Sequence, residues 1–229
     1  MTSNPTIFMK AITGSADYDT LFAQLVQADP SDMEIYEGLV LPDIRDAADI
    51  LGPLYEESGG TDGFISLEVS PKLAYQTDQT IAQGRRLWQA VDRPNLMIKV
   101  PATPQGLGAI EALIGQGINV NVTLIFSVNV YRQVIAAYLK GLKAFDDAGG
   151  DLSRVASVAS FFVSRLDAAV DKIIDQKIAS DPSCTQSSGL AALKGKAAVA
   201  NAKIAYAVFK EHFANVASPL VGDGSDFDL

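Results

Sequence analysis

Short β-branched runs alternate along this chain with longer amphipathic segments, at a spacing close to one βα unit per repeat, and few folds tolerate such a pattern. The strand-like runs are TSNPTIF (2–8), FISLEVSP (64–71), LMIKVP (96–101), INVNVTLIF (118–126) and VASVASFFV (155–163). Apolar positions recur at helical spacing over Tyr18–Ala28, Met33–Tyr55, Thr77–Val91, Pro104–Gln116, Val128–Asp147, Asp167–Ala179 and Leu190–Phe213. Asp17 and the run Pro30-Ser31-Asp32 are cap-like, Pro104 suits a first helical turn, and Gly117 and Gly149-Gly150 read as stops. Strand and helix in regular succession predict a parallel α/β sheet with right-handed crossovers. Five strand signals are few for a closed eight-stranded barrel, which takes about 250 residues. An open five-stranded doubly wound sheet would fit that count.

Composition narrows the partners. With 229 residues, 48% of them hydrophobic, the chain reads as a single domain over 1–229 with a sizeable core. Its formal charge of -9 is spread along the sequence, which argues against nucleic acid as a partner. No stretch of about 18 consecutive apolar residues is present, and MTSNPTIF lacks a basic n-region, so a membrane partner is not expected. Cys184 stands alone in the polar stretch PSCTQSSG, with no second thiol and no metal-ligand spacing, which favours a reducing, cytoplasmic setting. The final run SPLVGDGSDFDL (218–229) is turn-like. Neither GxGxxG nor GxxxxGK[ST] occurs, so a dinucleotide or P-loop reading does not follow.

Each strand signal carries polar groups near its carboxyl end: Asn4, Glu68, Lys99 with Thr103, Asn121 with Thr123, and Ser160 with Arg165 just beyond. In a parallel α/β fold those ends converge on the face where loops build an active site. A lysine inside an apolar run either snorkels to water at a rim or sits in a pocket that discourages its charge, and the second setting makes a nucleophile able to form an imine. Glu68, between Leu67 and Val69, reads either as a salt-bridge partner of Lys99 or as a base acting on water or on an imine hydroxyl. Asn121 and Thr123, two apart, share a strand face opposite Val120, Val122 and Leu124, as a satisfied buried pair or as substrate ligands. Arg165 offers a salt bridge to Asp167 or a forked donor to phosphate. His212 suits a helix-end contact, and Trp88, Tyr131 and Tyr138 suit helix packing.

With those residues in view, TSNPTIF, DGFISLEVSP, LMIKVPATPQGLGAIEALIGQGINVNVTLIFS and VASVASFFVSRLD together resemble the transaldolase family, in its motif order and over almost the whole chain. The resemblance implies class I, metal-free and cofactor-free aldol transfer on a (β/α)8 TIM barrel. The family moves a dihydroxyacetone unit between sugar phosphates of the pentose phosphate pathway, with fructose 6-phosphate or sedoheptulose 7-phosphate as donor and erythrose 4-phosphate or glyceraldehyde 3-phosphate as acceptor. Carried over motif by motif, Lys99 resembles the Schiff-base lysine, and Glu68 and Thr123 resemble the pair that positions the catalytic water. Asn4 and Asn121 resemble the amides that hold substrate hydroxyls, Ser160 a substrate-contacting serine, and Arg165 a phosphate-binding arginine.

By the same resemblance, family members carry a strand ahead of the TSNPT motif with an acid–base aspartate, and a PLWAST-type strand with one more βα unit after the helix ending near Phe213. The chain is therefore expected to hold about five of eight barrel strands. Three outcomes are compatible with that: a transaldolase of reduced or absent activity, a sugar-phosphate-binding or assembly module completed by another chain or a homo-oligomer, and a fructose 6-phosphate aldolase. Glutamate rather than glutamine at position 68 speaks against the last.

Overall fold

The computed structural model describes residues 1–180 and 187–214. Cys184 and the run 218–229 lie outside the described residues. Among the described residues one sheet is formed, with strands in chain order: β1 (Ile65–Glu68), β2 (Leu96–Pro101), β3 (Val120–Ile125) and β4 (Ser157–Phe161). Every neighbouring pair is parallel. A doubly wound sheet reverses its strand order at a switch point. This order does not reverse, which sets the doubly wound alternative aside. Successive right-handed crossovers that keep moving in one direction lay their helices on one side of the sheet and leave the other side free for a site.

The helices are α1 (Pro5–Gly14), α2 (Asp19–Leu25), α3 (Asp32–Glu57), α4 (Thr77–Val91), α5 (Pro104–Ile114), α6 (Val128–Asp147), α7 (Ser164–Ser180), α8 (Ser187–Ala191) and α9 (Ala197–Phe213). The spans of α4 and α6 coincide with the periodic segments of the sequence. The start of α3 is set by a capping box, in which the Ser31 hydroxyl accepts the Glu34 N–H while the Glu34 carboxylate accepts the Ser31 N–H. None of the described helices is long and apolar enough to cross a membrane.

The core lies between the helices and the outward residues of the strands. Leu67, Ile98, Val100, Val120, Val122 and Ile125 pack with Leu87, Val91, Ile110, Leu113, Val134 and Ile135 in one buried cluster. Each side chain of this size stabilises the fold by about 1.5–3 kcal/mol on full burial. Tyr131 belongs to the same cluster, and Trp88 and Tyr138 pack against it, as their helical positions predict.

Three expectations are corrected. The run TSNPTIF is not a strand: Thr2 makes a single parallel bridge to Ser66, and helix α1 begins at Pro5. Pro5 has no N–H for a ladder and suits the first helical turn, while the Asn4 side chain accepts the Ile7 N–H at 2.9 Å. Among the described residues the expected five strands thus become four and one bridge. Leu124 does not share a face with Val120 and Val122; its φ is +60°, it is 37% exposed, and the pairing with β4 slips between Val122 and Ile125, so that Ile125 takes the core position. Finally, the segment from Leu190 to Phe213 is broken by a turn at Gly195, whose φ is +69°. Asp171 accepts the Gly195 N–H at 3.0 Å and Asp167 accepts the Ala198 N–H at 2.9 Å, which ties the start of α9 to α7.

Candidate active site

Strand alternation sends Ser66 and Glu68 of β1, Lys99 of β2, Asn121 and Thr123 of β3 and Ser160 of β4 to the face away from the helices. The register places Glu68 beside Lys99 and Lys99 beside Asn121, so these three stand level across the sheet; Thr123 stands beside Pro101, one step nearer the carboxyl end. Lys99 is only 8% exposed. Its Nζ lies 3.5 Å from Glu68 Oε2 and donates a long hydrogen bond, 3.4 Å, to the Ser3 carbonyl. An ammonium so enclosed keeps few water contacts, and its near neighbours are one carboxylate and one carbonyl.

Asn121 is held at both ends of its carboxamide. Nδ2 donates to Ser66 Oγ at 2.9 Å and Oδ1 accepts from Ser160 Oγ at 2.8 Å. Thr123 is 1% exposed. Asn4 caps α1 through Oδ1, which leaves its Nδ2 without a partner among the described residues. Thr103, grouped with Lys99 by the strand-end argument, instead caps α5: its hydroxyl accepts the Gly106 N–H at 2.9 Å and donates to the Ala74 carbonyl. Gly106 permits that close turn, because a Cβ there would lie 2.0 Å from the Pro101 carbonyl oxygen.

Arg165 stands apart from this group. It lies in the first turn of α7, exposed, with its guanidinium 4.9 Å from the centre of the Phe162 ring. No ion pair joins it to Asp167 among the described residues, and Asp167 is engaged with α9 instead. An open groove beside it runs from Ser160 and Phe162 to Ser164. On the helix side of Glu68, an apolar cavity of about 220 Å³ is walled by Tyr36, Val40, Leu67 and Leu87. Burial, then the charges of Glu68 and Glu37, hold the Tyr36 hydroxyl above its ordinary pKa. His212 meets the Val208 carbonyl at 2.9 Å within the last turn of α9, the helix-end contact its position suggests.

The sheet therefore brings together Lys99, Glu68, Asn121 and Ser160, with Thr123 one step above, while Asn4 and Arg165 stand at the margin. Sequence reasoning overlooked Ser66 and Ser3, although the alternation that selected Glu68 also puts Ser66 on its face. A family sequence model described as Transaldolase/Fructose-6-phosphate aldolase matches residues 1–221. The chain belongs to that family. Among curated relatives it is similar to the transaldolase of Trichodesmium erythraeum, 51% identical over 211 residues covering 92% of this chain and 56% of the relative. It is also similar to the transaldolase of Thermobifida fusca, 50% identical over 215 residues covering 94% and 56%, and to transaldolase 2 of Nostoc sp., 48% identical over 212 residues covering 92% and 56%. The chain thus spans a little over half the length of the curated relatives it matches. Membership of the family accords with the resemblance seen in the motifs.

Proposed function

We propose that this chain carries the imine-forming site of a transaldolase, with Lys99 as the Schiff-base nucleophile. The observation that carries the reading is the enclosed Lys99–Glu68 pair, 3.5 Å apart, level with Asn121 on the helix-free face of an in-order parallel sheet. The unprotonated Lys99 amine attacks the carbonyl carbon of a ketose phosphate and a carbinolamine forms. Its hydroxyl leaves as water once it gains a proton, and Glu68, acting through a water held with Thr123, is the group placed to supply that proton and later to take one from the water that hydrolyses the imine. In the protonated imine the C3–C4 bond breaks, its electron pair remaining on the lysine-bound three-carbon enamine while the C4 hydroxyl loses its proton and becomes an aldehyde. The resemblance assigns that proton to an aspartate. The enamine then adds to an aldose phosphate acceptor.

Asn121, Ser160 and the Nδ2 of Asn4 supply hydrogen bonds to substrate hydroxyls, and Arg165 at the positive end of α7 supplies a phosphate site. Donors are fructose 6-phosphate and sedoheptulose 7-phosphate; acceptors are erythrose 4-phosphate and glyceraldehyde 3-phosphate. The in-order sheet forms part of a (β/α)8 barrel in this reading, residues 1–229 belong to one domain, and the setting is cytoplasmic. The relatives' shared name, transaldolase, favours transfer over direct cleavage of fructose 6-phosphate.

Borohydride reduction in the presence of fructose 6-phosphate, followed by intact and peptide mass analysis, tests the reading. A reduced adduct on Lys99 that disappears in Lys99→Met is the expected result. A three-carbon adduct means that cleavage follows imine formation, and a six-carbon adduct means that the imine forms and stalls. Absence of any adduct on Lys99 refutes the assignment.

A further inference from the structure

The Asn121 carboxamide is pinned by two hydroxyls, and only one of them, Ser160, has a part in the proposed function. The other belongs to Ser66, which is 2% exposed and whose hydroxyl accepts the Asn121 amide. Its main chain is engaged as closely as its side chain. The Ser66 N–H donates to the Met1 carbonyl at 3.1 Å, and the Ser66 carbonyl accepts both the Ser3 N–H at 3.2 Å and the Ser3 hydroxyl at 2.7 Å. The Ser3 carbonyl in turn accepts from Lys99 Nζ. Ser66 thus joins the amide level with the lysine to the short segment against which the lysine rests.

We propose that Ser66 is a positioning residue of the imine site, its hydroxyl fixing the Asn121 carboxamide and its main chain fixing the Ser3 carbonyl beside Lys99. The inference rests on the reading of Lys99 and Asn121 given above. A primary amide held at one end only can swing about its last side-chain torsion, which is broad. Held by Ser66 on one side and Ser160 on the other, the Asn121 carboxamide keeps one plane and one position beside Lys99, which is what recognition of a substrate hydroxyl requires.

The test uses Ser66→Ala, which removes the hydroxyl, and Ser66→Thr, which keeps it, in the whole 229-residue chain. The first readout is the side-chain amide of Asn121 by ¹⁵N nuclear magnetic resonance without ligand. Its protection from solvent exchange is expected to fall at least tenfold in Ser66→Ala and to return in Ser66→Thr. The second is borohydride trapping on Lys99 across a fructose 6-phosphate titration. Half-saturation is expected to rise about tenfold in Ser66→Ala, the change matching one lost hydrogen bond, with the same plateau of adduct. Should Ser66→Ala unfold, Ser66→Cys keeps the volume while weakening the bond and is read in the same way. An Asn121 amide as protected in Ser66→Ala as in the parent chain overturns this proposal, as does an unchanged titration. A parent chain that gives no adduct overturns the functional reading instead, and the two failures are distinguishable because the first readout needs no substrate.

Discussion

Replacing Asn119 tests how the foot of the sheet holds the site in register. Asn119 is 1% exposed; its Nδ2 donates to the carbonyls of Pro94 at 2.9 Å and Leu96 at 3.0 Å, and its Oδ1 accepts the Ala156 N–H at 2.8 Å. One side chain thereby ties β3 to the start of β2 and to the approach to β4, two residues before Asn121. Asn119→Ala removes three hydrogen bonds at about 1 kcal/mol each, a loss of about 3 kcal/mol. In a chain of this size each kcal/mol shifts Tm by roughly 2–4 °C, so a fall of about 6–12 °C is expected. Asn119→Asp keeps the bond to Ala156 but turns a second carboxylate oxygen toward two carbonyls. The folded state then favours the protonated acid, which can donate to one of those carbonyls, so the folded-state pKa rises above the ordinary value of about 3.9. With more protons bound folded than unfolded, the stability of the Asp variant declines as pH rises from that ordinary value through the raised one. Thermal melts by circular dichroism at pH 5 and pH 8, each referenced to the parent chain, should show Asn119→Asp near or above Asn119→Ala at pH 5 and below it at pH 8. A gap between the two variants that does not change with pH would refute the geometry argued for Asn119, and so would an Ala variant that melts with the parent.

Three further perturbations have defined outcomes. Glu68→Gln should slow formation of the Lys99 adduct by about 10²-fold or more, the usual contribution of a positioned acid–base group; single-turnover trapping at an unchanged rate would remove Glu68 from the chemistry. Gly106→Ala sets a Cβ against the Pro101 carbonyl, whereas at Gly38 the nearest atoms are the flexible end of Leu25 at 2.8 Å. The first substitution should cost about 1–3 kcal/mol and the second less, so equal Tm losses would contradict the difference. Bonds from the Ser31 hydroxyl and then the Ser31 N–H hold the Glu34 carboxyl below its ordinary pKa. Its support of α3 is therefore present above the ordinary carboxylate pKa and lost as pH falls through the lowered one, and amide exchange at the start of α3 should show that loss in the parent chain and not in Glu34→Gln.

Much of the site is legible in the sequence because alternation carries it. Glu68 and Asn121 each occupy the polar phase of a strand whose other phase is apolar, whereas Lys99 and Ser160 share their phases with Met97 and Val158 and are marked instead as polar residues near a strand's carboxyl end. Asn4 is marked by its motif for a hydrogen-bonding role, yet the use of its Oδ1 as the cap of α1 depends on Pro5 starting a helix where β-branched residues suggest a strand. Ser66, Ser3 and Asn119 stay hidden because small polar residues add little to a hydropathy pattern; their parts show only when partners 55, 63 and 37 positions away come within hydrogen-bond distance.

Sequence alone determined the parallel α/β class, the spans of α4 and α6, the family and the polar set at the strand ends. All of these follow from local periodicity, caps and motifs, in which neighbours along the chain carry the information. Tertiary structure alone decided that the strands keep chain order, that Glu68, Lys99 and Asn121 stand level, that Leu124 bulges out and that Asp167 serves α9 rather than Arg165. Register and partner choice are set by which distant backbone and side-chain groups can satisfy one another once the apolar faces have packed, and that competition involves the whole chain at once.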